Sequence, residues 1–188
     1  SGSDGGSGGA ISRIFGVTSN EEQQASKRMS ALRKGTPANA SAGFGSDFLV
    51  LADRIIQPKG RLAFVLPITA CIGETWSRIR AMLTNRYEVE FVIASHSMTG
   101  YAMSFDTAIA EILLVARRLE SNEPAPGRGV FVNLWETPRL VTDALAVLRA
   151  IDAVAAGPLH RVEGPPVGGV PVYVGGQQIG EIVDGPLG

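Results

Sequence analysis

The sequence predicts an α/β fold in which helices flank a mixed β-sheet and a β-hairpin follows near the carboxyl end. Gly60 launches a short run, 61–66, with almost no polar content, and Pro67 stops it. A helical pattern leads to a second apolar run, 87–95, and this strand–helix–strand order is typical of a buried parallel pair. A third run, 109–117, follows a loop of about a dozen residues without a helix, which favours antiparallel pairing.

Two helices are predicted ahead of the first strand, and one after it. Residues 20–34, capped by Ser19 or Asn20, place acids first and bases last, and their thin apolar content predicts a surface helix. Residues 44–57 carry apolar side chains at helical spacing, which predicts one buried stripe made of Phe48, Leu51, Ala52, Ile55 and Ile56. The helix over 72–86 is expected to bury Trp76, Ile79, Met82 and Leu83 on one face.

The elements after residue 117 follow from breaker residues and spacing. Residues 130–135 form a predicted strand, and the predicted helix 140–154 points Leu145, Leu148 and Ile151 inward. Runs 170–174 and 178–183, separated by Gly175-Gly176, predict a β-hairpin with a two-residue turn.

These elements suggest three segments: a flexible stretch 1–19, an α/β body 20–157, and a Pro/Gly-rich hairpin extension 158–188 that opens a further module. The first nine residues are Gly/Ser-rich, and they are interpreted either as an engineered linker or as a native loop cut off from what preceded it.

Composition limits the class of protein more than its function. The chain has 17 basic and 18 acidic residues, a net charge of −1 that neither requires nor excludes a nucleic-acid partner. No apolar run approaches the ~20 residues of a membrane-spanning helix. A lone Cys71 fits a reducing, cytoplasmic compartment. With one Cys and two His, no structural zinc site is expected, and a metal is not predicted.

A longer stretch carries a family resemblance. The segment Phe48–Pro67, FLVLADRIIQPKGRLAFVLP, resembles the middle of the adenine-N6 DNA methyltransferases of restriction–modification systems, in which a helix ends in a Lys-Pro-Gly-Gly-Arg type of turn and enters a central strand. The helix, strand, Phe-containing loop and final strand that follow also match, over about 44–118 and more loosely over 20–158. The resemblance implies a partial Rossmann-like methyltransferase sheet whose last strand, 109–117, inserts antiparallel between its two predecessors.

The resemblance also implies a chemistry: S-adenosylmethionine as methyl donor, a flipped adenine as acceptor, and DNA as partner. That chemistry needs a Gly-rich turn after the first strand and an Asn/Asp-Pro-Pro-Tyr/Phe motif, and neither is present. Pro165-Pro166-Val167 is in the wrong place and lacks the aromatic ring. The chain is therefore expected to be the carboxyl-terminal half or a subunit of such an enzyme, inactive and without bound cofactor when alone. Self-association is expected if the missing half or partner subunit leaves an edge uncovered.

Candidate site residues come from this resemblance and from position in the fold. Phe105 matches the ring that stacks on the extruded base, and the alternative is a Phe tucked under its own loop. Pro67 and Thr69 lie at the carboxyl end of a strand, where they either shape the active-site rim or simply end the strand. His96, with Ser97 and Thr99, either contacts DNA or belongs to a solvated loop.

Charged residues and the cysteine receive plainer interpretations. Two interpretations stay open for the arginines of the helix over 72–86: they bind phosphates, or they form its solvent-exposed face. These arginines are Arg78, Arg80 and Arg86. Asp106 and Glu111 are not interpreted as an acid–base pair. Cys71 is expected to be buried and unreactive, and Asp53 to be a surface residue of its helix.

Two other functions stay open. The first is a non-catalytic α/β module that binds another protein through this half-fold. The second, a small flavodoxin-like nucleotide-binding protein, is disfavoured because no phosphate loop follows any predicted strand.

Overall fold

A computed structural model of the protein describes residues 16, 18–96, 104, 109–136, 138, 140–155 and 169–187. Its helices are α1 (Ser19–Arg33), α2 (Phe44–Ile55), α3 (Thr69–Ile72), α4 (Ser77–Arg86) and α5 (Val141–Ala155). Its strands are β1 (Arg61–Pro67), β2 (Tyr87–Ser95), β3 (Glu111–Arg118), β4 (Arg128–Leu134), β5 (Val170–Val174) and β6 (Gln177–Pro186). Short 3-10 turns span Ala40–Ala42 and Glu74–Trp76. Within the described ranges, no helix has the length and apolar character needed to cross a membrane.

The strands form one sheet with the order β1-β3-β2-β4-β6-β5 in the described part of the chain. β3 is antiparallel to both β1 and β2, so β1 and β2 run in the same direction on either side of it. β4 is parallel to β2, and the hairpin joins the sheet through β6, which is antiparallel to β4. The predicted mixed sheet, with its third strand wedged between two predecessors, is confirmed.

The turn of the hairpin explains why its two glycines stand there. Gly175 and Gly176 have φ values of 58° and 82°. Two consecutive positive φ angles are what a two-residue type I′ hairpin turn requires, and residues with a Cβ atom adopt them at a cost. The predicted hairpin is confirmed, although β6 runs longer than expected.

One face of the sheet is covered by α2 and α4. The side chains of β3 alternate, so that Ile112, Leu114 and Ala116 face this core. The predicted inward face of the helix over 72–86 is confirmed, although Gly73 and a 3-10 turn divide that helix into α3 and α4. Its buried members are Trp76, Ile79, Met82 and Leu83.

The other face of the sheet is covered by α5, whose core includes residues of β4, β6 and β5 and also Ile93 of β2. Val147 and Ile151 of α5 pack there against strand residues such as Val132. The prediction that Leu145 and Leu148 point inward is wrong for both, because each is about half exposed (48% and 50%). The inward stripe begins at Val147, since α5 packs chiefly on the hairpin strand β5.

The predicted stripe of α2 is wrong at Phe48, Leu51 and Ile55, although Ile56, just after the helix, does pack against the core. Phe48, Leu51 and Ile55 are 54%, 38% and 80% exposed, whereas Leu49 and Val50 are buried. The helix has apolar side chains on two sides, and the side that carries Leu49 packs against the sheet.

Two aspartates of α2 are tied to arginines outside it. Asp47 is fully buried and accepts hydrogen bonds from Arg33 Nε and Nη2 at 2.8 and 2.6 Å. This bidentate pair fastens α1, which has no buried residue of its own, to α2. The cap of α1 is Thr18, which exchanges hydrogen bonds with Glu21, so neither Ser19 nor Asn20 is the cap.

Asp53 is not the surface residue that was expected. Its carboxylate bonds Arg86 Nη1 at 2.5 Å, accepts from the Tyr87 hydroxyl at 3.0 Å, and also pairs with Arg118. Burial raises the pKa of Tyr87 above its ordinary value. This cluster joins the end of α2 to the first residue of β2 and the last of β3.

Replacing Leu49 by Ala should therefore cost much more stability than replacing Leu51. Leu49→Ala removes a fully buried side chain and is expected to lower the free energy of unfolding by about 2–5 kcal/mol. Leu51→Ala, the same chemical change on the opposite side of the helix, should cost less than about 1 kcal/mol. Urea unfolding monitored by circular dichroism compares the two, and a larger loss at Leu51 would contradict the described packing.

Candidate functional site

The carboxyl ends of the three parallel strands β1, β2 and β4 lie at one edge of the sheet, which we name the carboxyl edge. Open α/β sheets bind their ligands at this edge. Pro67 ends β1 here, His96 follows β2, and Leu134 ends β4. The amino end of the antiparallel β3 lies here as well, because Glu111 pairs with Pro67.

The corner between β1 and α3 contains the two residues predicted for the rim. Directly after β1, Ile68 N donates a hydrogen bond to Ala110 O at 2.8 Å. The pairing of β1 with the chain around β3 therefore continues one residue past the end of β1. Thr69 is exposed and begins α3, and its carbonyl accepts from Gly73 N. Pro67 and Thr69 thus lie at the carboxyl edge as expected, and their role in a reaction stays a prediction.

Glu111 anchors the segment that leads into β3. Its carboxylate accepts hydrogen bonds from Ser104 N at 2.6 Å and from Ser104 Oγ at 2.9 Å. Charge-assisted bonds of this length are roughly twice as strong as neutral ones. No pattern in the sequence indicates this anchoring, since a Ser and a Glu seven residues apart form no recognised motif.

Several residues considered in the sequence lie outside the described residues: Phe105, Ser97, Thr99 and Asp106. The stacking role of Phe105 therefore stays a prediction. Ser104, its neighbour along the chain, lies at the carboxyl edge by virtue of its bonds to Glu111.

His96 lies against the end of β4. Its backbone N donates to Leu134 O at 2.7 Å, and its Nε2 lies 3.4 Å from Asn133 Oδ1. Beside it, Trp135 is 44% exposed, and its backbone N donates to Ile179 O at 2.7 Å. The sequence analysis did not single out Trp135, which ends its predicted strand and looks like an ordinary strand residue.

The arginines predicted as weak DNA contacts have different environments. Arg78 is exposed in the first turn of α4. Arg80 is partly buried, and its Nη1 donates to Gly73 O at 2.7 Å and to Ala70 O at 3.4 Å. Arg86 lies at the other end of α4 and is occupied by Asp53. The structure therefore places Arg78 and Arg80, but not Arg86, near the carboxyl edge.

Cys71 lies in α3, beside Arg80. Burial raises the pKa of its thiol, and the positive charge of Arg80 lowers it in part. The thiol is therefore held in its protonated form at neutral pH. The residue is partly buried, and its low reactivity stays a prediction.

A second feature of this end of the molecule is an uncovered surface. β1 pairs with β3 on one edge and has no strand on its other edge among the described residues. β5, the strand at the opposite end of the sheet, is short and contains Pro171, which lacks an N–H group and so disfavours pairing with a further strand. β1 has no proline before its last residue, so its edge can still pair. Next to β1 along the chain, α2 presents what we name the exposed stripe: Phe44, Phe48, Leu51 and Ile55.

The turn from β1 into α3 runs from Pro67 to Thr69 and contains no glycine, so it is not a Gly-rich cradle for S-adenosylmethionine. Gly73 comes only after α3, and a Cβ atom there would lie 2.7 Å from Thr69 O, so this glycine serves the local turn. No step of a reaction is assigned to the cofactor on this chain alone.

Comparison with known proteins gives a distant structural likeness. Protein-family models and curated proteins contain no match to the chain. Among solved structures, the type IIG restriction endonuclease BpuSI is similar with a TM-score of 0.43 and 14% sequence identity. The alignment covers 66% of this chain but only 14% of the endonuclease, so the chain corresponds to a small part of that protein.

The anchoring by Glu111 can be tested by hydrogen exchange. Glu111→Gln keeps the size of the side chain but removes the charge, and the amide of Ser104 should exchange about tenfold faster or more, as the loss of a charge-assisted bond predicts. Glu74→Gln, at an exposed position, serves as the control and should leave that amide unchanged. Equal exchange rates in both variants and the unsubstituted chain would contradict the anchoring.

Proposed function

We propose that this chain is the carboxyl-terminal half of the catalytic domain of a DNA adenine-N6 methyltransferase, an enzyme that transfers a methyl group from S-adenosylmethionine to a flipped adenine. The observation that carries the proposal is the position of β3, antiparallel between the parallel strands β1 and β2. The resemblance of the sequence to this family implies the same arrangement.

This strand order is informative because simple chain topology does not favour it. Strands that follow each other along the chain are neighbours in about two thirds of cases. The helical segment between β1 and β2 instead leaves a gap of one strand, and β3 enters this gap from the opposite direction. A flavodoxin-like sheet, which is entirely parallel at its centre, has no such strand, so the order supports the methyltransferase over that alternative.

The proposal divides the site between two pieces of polypeptide. The missing half supplies the cofactor cradle and the Asn/Asp-Pro-Pro-Tyr/Phe motif. This chain supplies the side that holds the base, with Phe105 as the stacking ring and Pro67 and Thr69 on the rim. Glu111 acts as a positioning residue, because it fixes Ser104 next to Phe105. His96, Arg78 and Arg80 are the candidates for contact with DNA.

The uncovered surface is where the missing half would dock. A further strand would pair with the open edge of β1, and the exposed stripe of α2 would be buried beneath it. Val65, on the sheet face that α5 leaves open, is 46% exposed and would be covered as well. Self-association of the isolated chain through the same surface follows from the same reasoning.

A non-catalytic interaction module is the second candidate function, and the open edge of β1 favours it equally. The two candidates differ in what the joined protein does. The methyltransferase requires both missing motifs in the partner polypeptide and S-adenosylmethionine turnover, whereas the interaction module requires neither.

The proposal is tested by activity in the complete protein. Joined to its missing half, the protein should form N6-methyladenine in duplex DNA when S-adenosylmethionine is supplied, measured by chromatography of the digested nucleosides. The isolated chain should show no S-adenosylmethionine binding in calorimetry, and micromolar binding would contradict the division of the site. A joined protein that assembles but never methylates adenine leaves the interaction module as the function.

Within the complete protein, Phe105→Ala should slow methylation. The loss of base stacking is worth about 1–3 kcal/mol, or about 5- to 160-fold in rate. Phe105→Trp, which keeps an aromatic face, should retain most of the activity, and the melting temperature should be the same in both variants. Unchanged turnover in Phe105→Ala would remove this residue from the site.

The docking surface can be tested without any activity. Phe48→Gln places a polar side chain on the exposed stripe and should weaken association with the missing half by about tenfold or more, while the unfolding of the isolated chain stays unchanged. Arg54→Gln, a change at an exposed position elsewhere on α2, is the matched control. Equal affinity of both variants, measured by calorimetry, would place the interface elsewhere.

A further inference from the structure

A small apolar pocket lies between α4 and the sheet, on the face opposite α5. Its volume is about 130 Å³. Ile79 and Leu83 of α4 form one wall, Leu114 and Phe131 of the strands form another, and Ala70 lies at the end next to α3. The pocket belongs neither to the uncovered edge of β1 nor to the cradle that the proposed function places outside this chain.

The pocket exists because α4 covers only part of this face. The helix lies over β2 and β3, and on the α4 side β4 is covered by the end of the chain rather than by a helix. Leu187 N donates to Gly127 O at 3.1 Å, which fixes the segment after β6 against the sheet. At Gly129 a Cβ atom would lie 3.0 Å from Leu187 Cδ2, so the absence of a side chain there gives Leu187 its place.

The polar groups of the pocket come from α4 and α3. They are the Arg80 guanidinium, the Thr84 hydroxyl and the Cys71 thiol. Arg80 gives one nitrogen, Nη1, to the carbonyls of Gly73 and Ala70, and it forms no ion pair with any carboxylate among the described residues. A partly buried cation without an anionic partner beside an apolar pocket is unusual, because buried charges are normally paired.

We propose that this pocket binds a small carboxylate with an apolar body, of the size of benzoate. The body would lie between Ile79, Leu83 and Leu114, and the carboxylate would accept hydrogen bonds from the free nitrogens of Arg80. The volume limits the apolar body to about one ring, since a cavity of about 150 Å³ lined by aliphatic side chains holds benzene and this pocket measures about 130 Å³. Pockets for drug-sized molecules run from about 300 Å³ upward, which excludes S-adenosylmethionine or a nucleoside here.

The experiment titrates the chain with benzoate and, separately, with benzyl alcohol, which has the same ring without the charge. Methyl NMR signals of Ile79, Leu83 and Leu114 should shift with both probes, and benzoate should bind about tenfold more tightly or better because of its charge-assisted bonds. Arg80→Met should abolish the difference between the probes. Arg78→Met, at the exposed arginine of the same helix, should preserve it.

A second measurement needs no substitution, since Arg80→Met also removes bonds to Gly73 and Ala70. Cys71 lines the pocket, so saturating benzoate should slow its alkylation by N-ethylmaleimide, and benzyl alcohol at the same concentration should slow it less. Two outcomes overturn the proposal: no shift and no protection with benzoate, or a preference for benzoate that survives in a folded Arg80→Met variant.

Discussion

The architecture depends on one constraint: β3 is hydrogen-bonded along both of its edges by strands that run against it. β1 and β2 are therefore separated by two strand spacings, about 10 Å, and the chain between them must bridge that gap. α4 lies in this connection and packs on the sheet at β2, and its apolar face shares the main core with Leu114 and Ala116 of β3. The same constraint brings the start of β3 to the carboxyl ends of β1 and β2, where a ligand site can form.

The part of the fold that can be predicted from the sequence is the part whose packing partners are close along the chain. The strands, their neighbours along the chain and the inward face of α4 follow from local patterns, because burial of these residues is satisfied by adjacent elements. The antiparallel insertion of β3 came from the family resemblance, and the loop length agreed with it. Asp47 and Asp53 were unpredictable, because their arginine partners are 14 and up to 65 residues away.

The errors at α2 and α5 have a common physical cause. Periodicity finds apolar side chains on one side of a helix but does not say which side meets the sheet. In α2 the side with Leu49 packs inward, and the exposed stripe containing Phe48 is left over. An exposed apolar stripe and an unpaired strand edge are both costly to leave in water, and α2 and β1, which carry them, follow each other along the chain. They are consistent with a single partner that covers both.

The candidate site separates the two functions more clearly than the uncovered surface does. A module that only binds another protein needs the edge of β1 and the exposed stripe, and it has no use for an anchored Ser104. The structure nevertheless commits the Glu111 carboxylate to Ser104 through two short hydrogen bonds at the carboxyl edge. Holding Ser104 in one position costs conformational entropy, which these hydrogen bonds offset. Ser104 directly precedes Phe105 in the sequence, so the proposed methyltransferase gives this anchor a use that the interaction module does not.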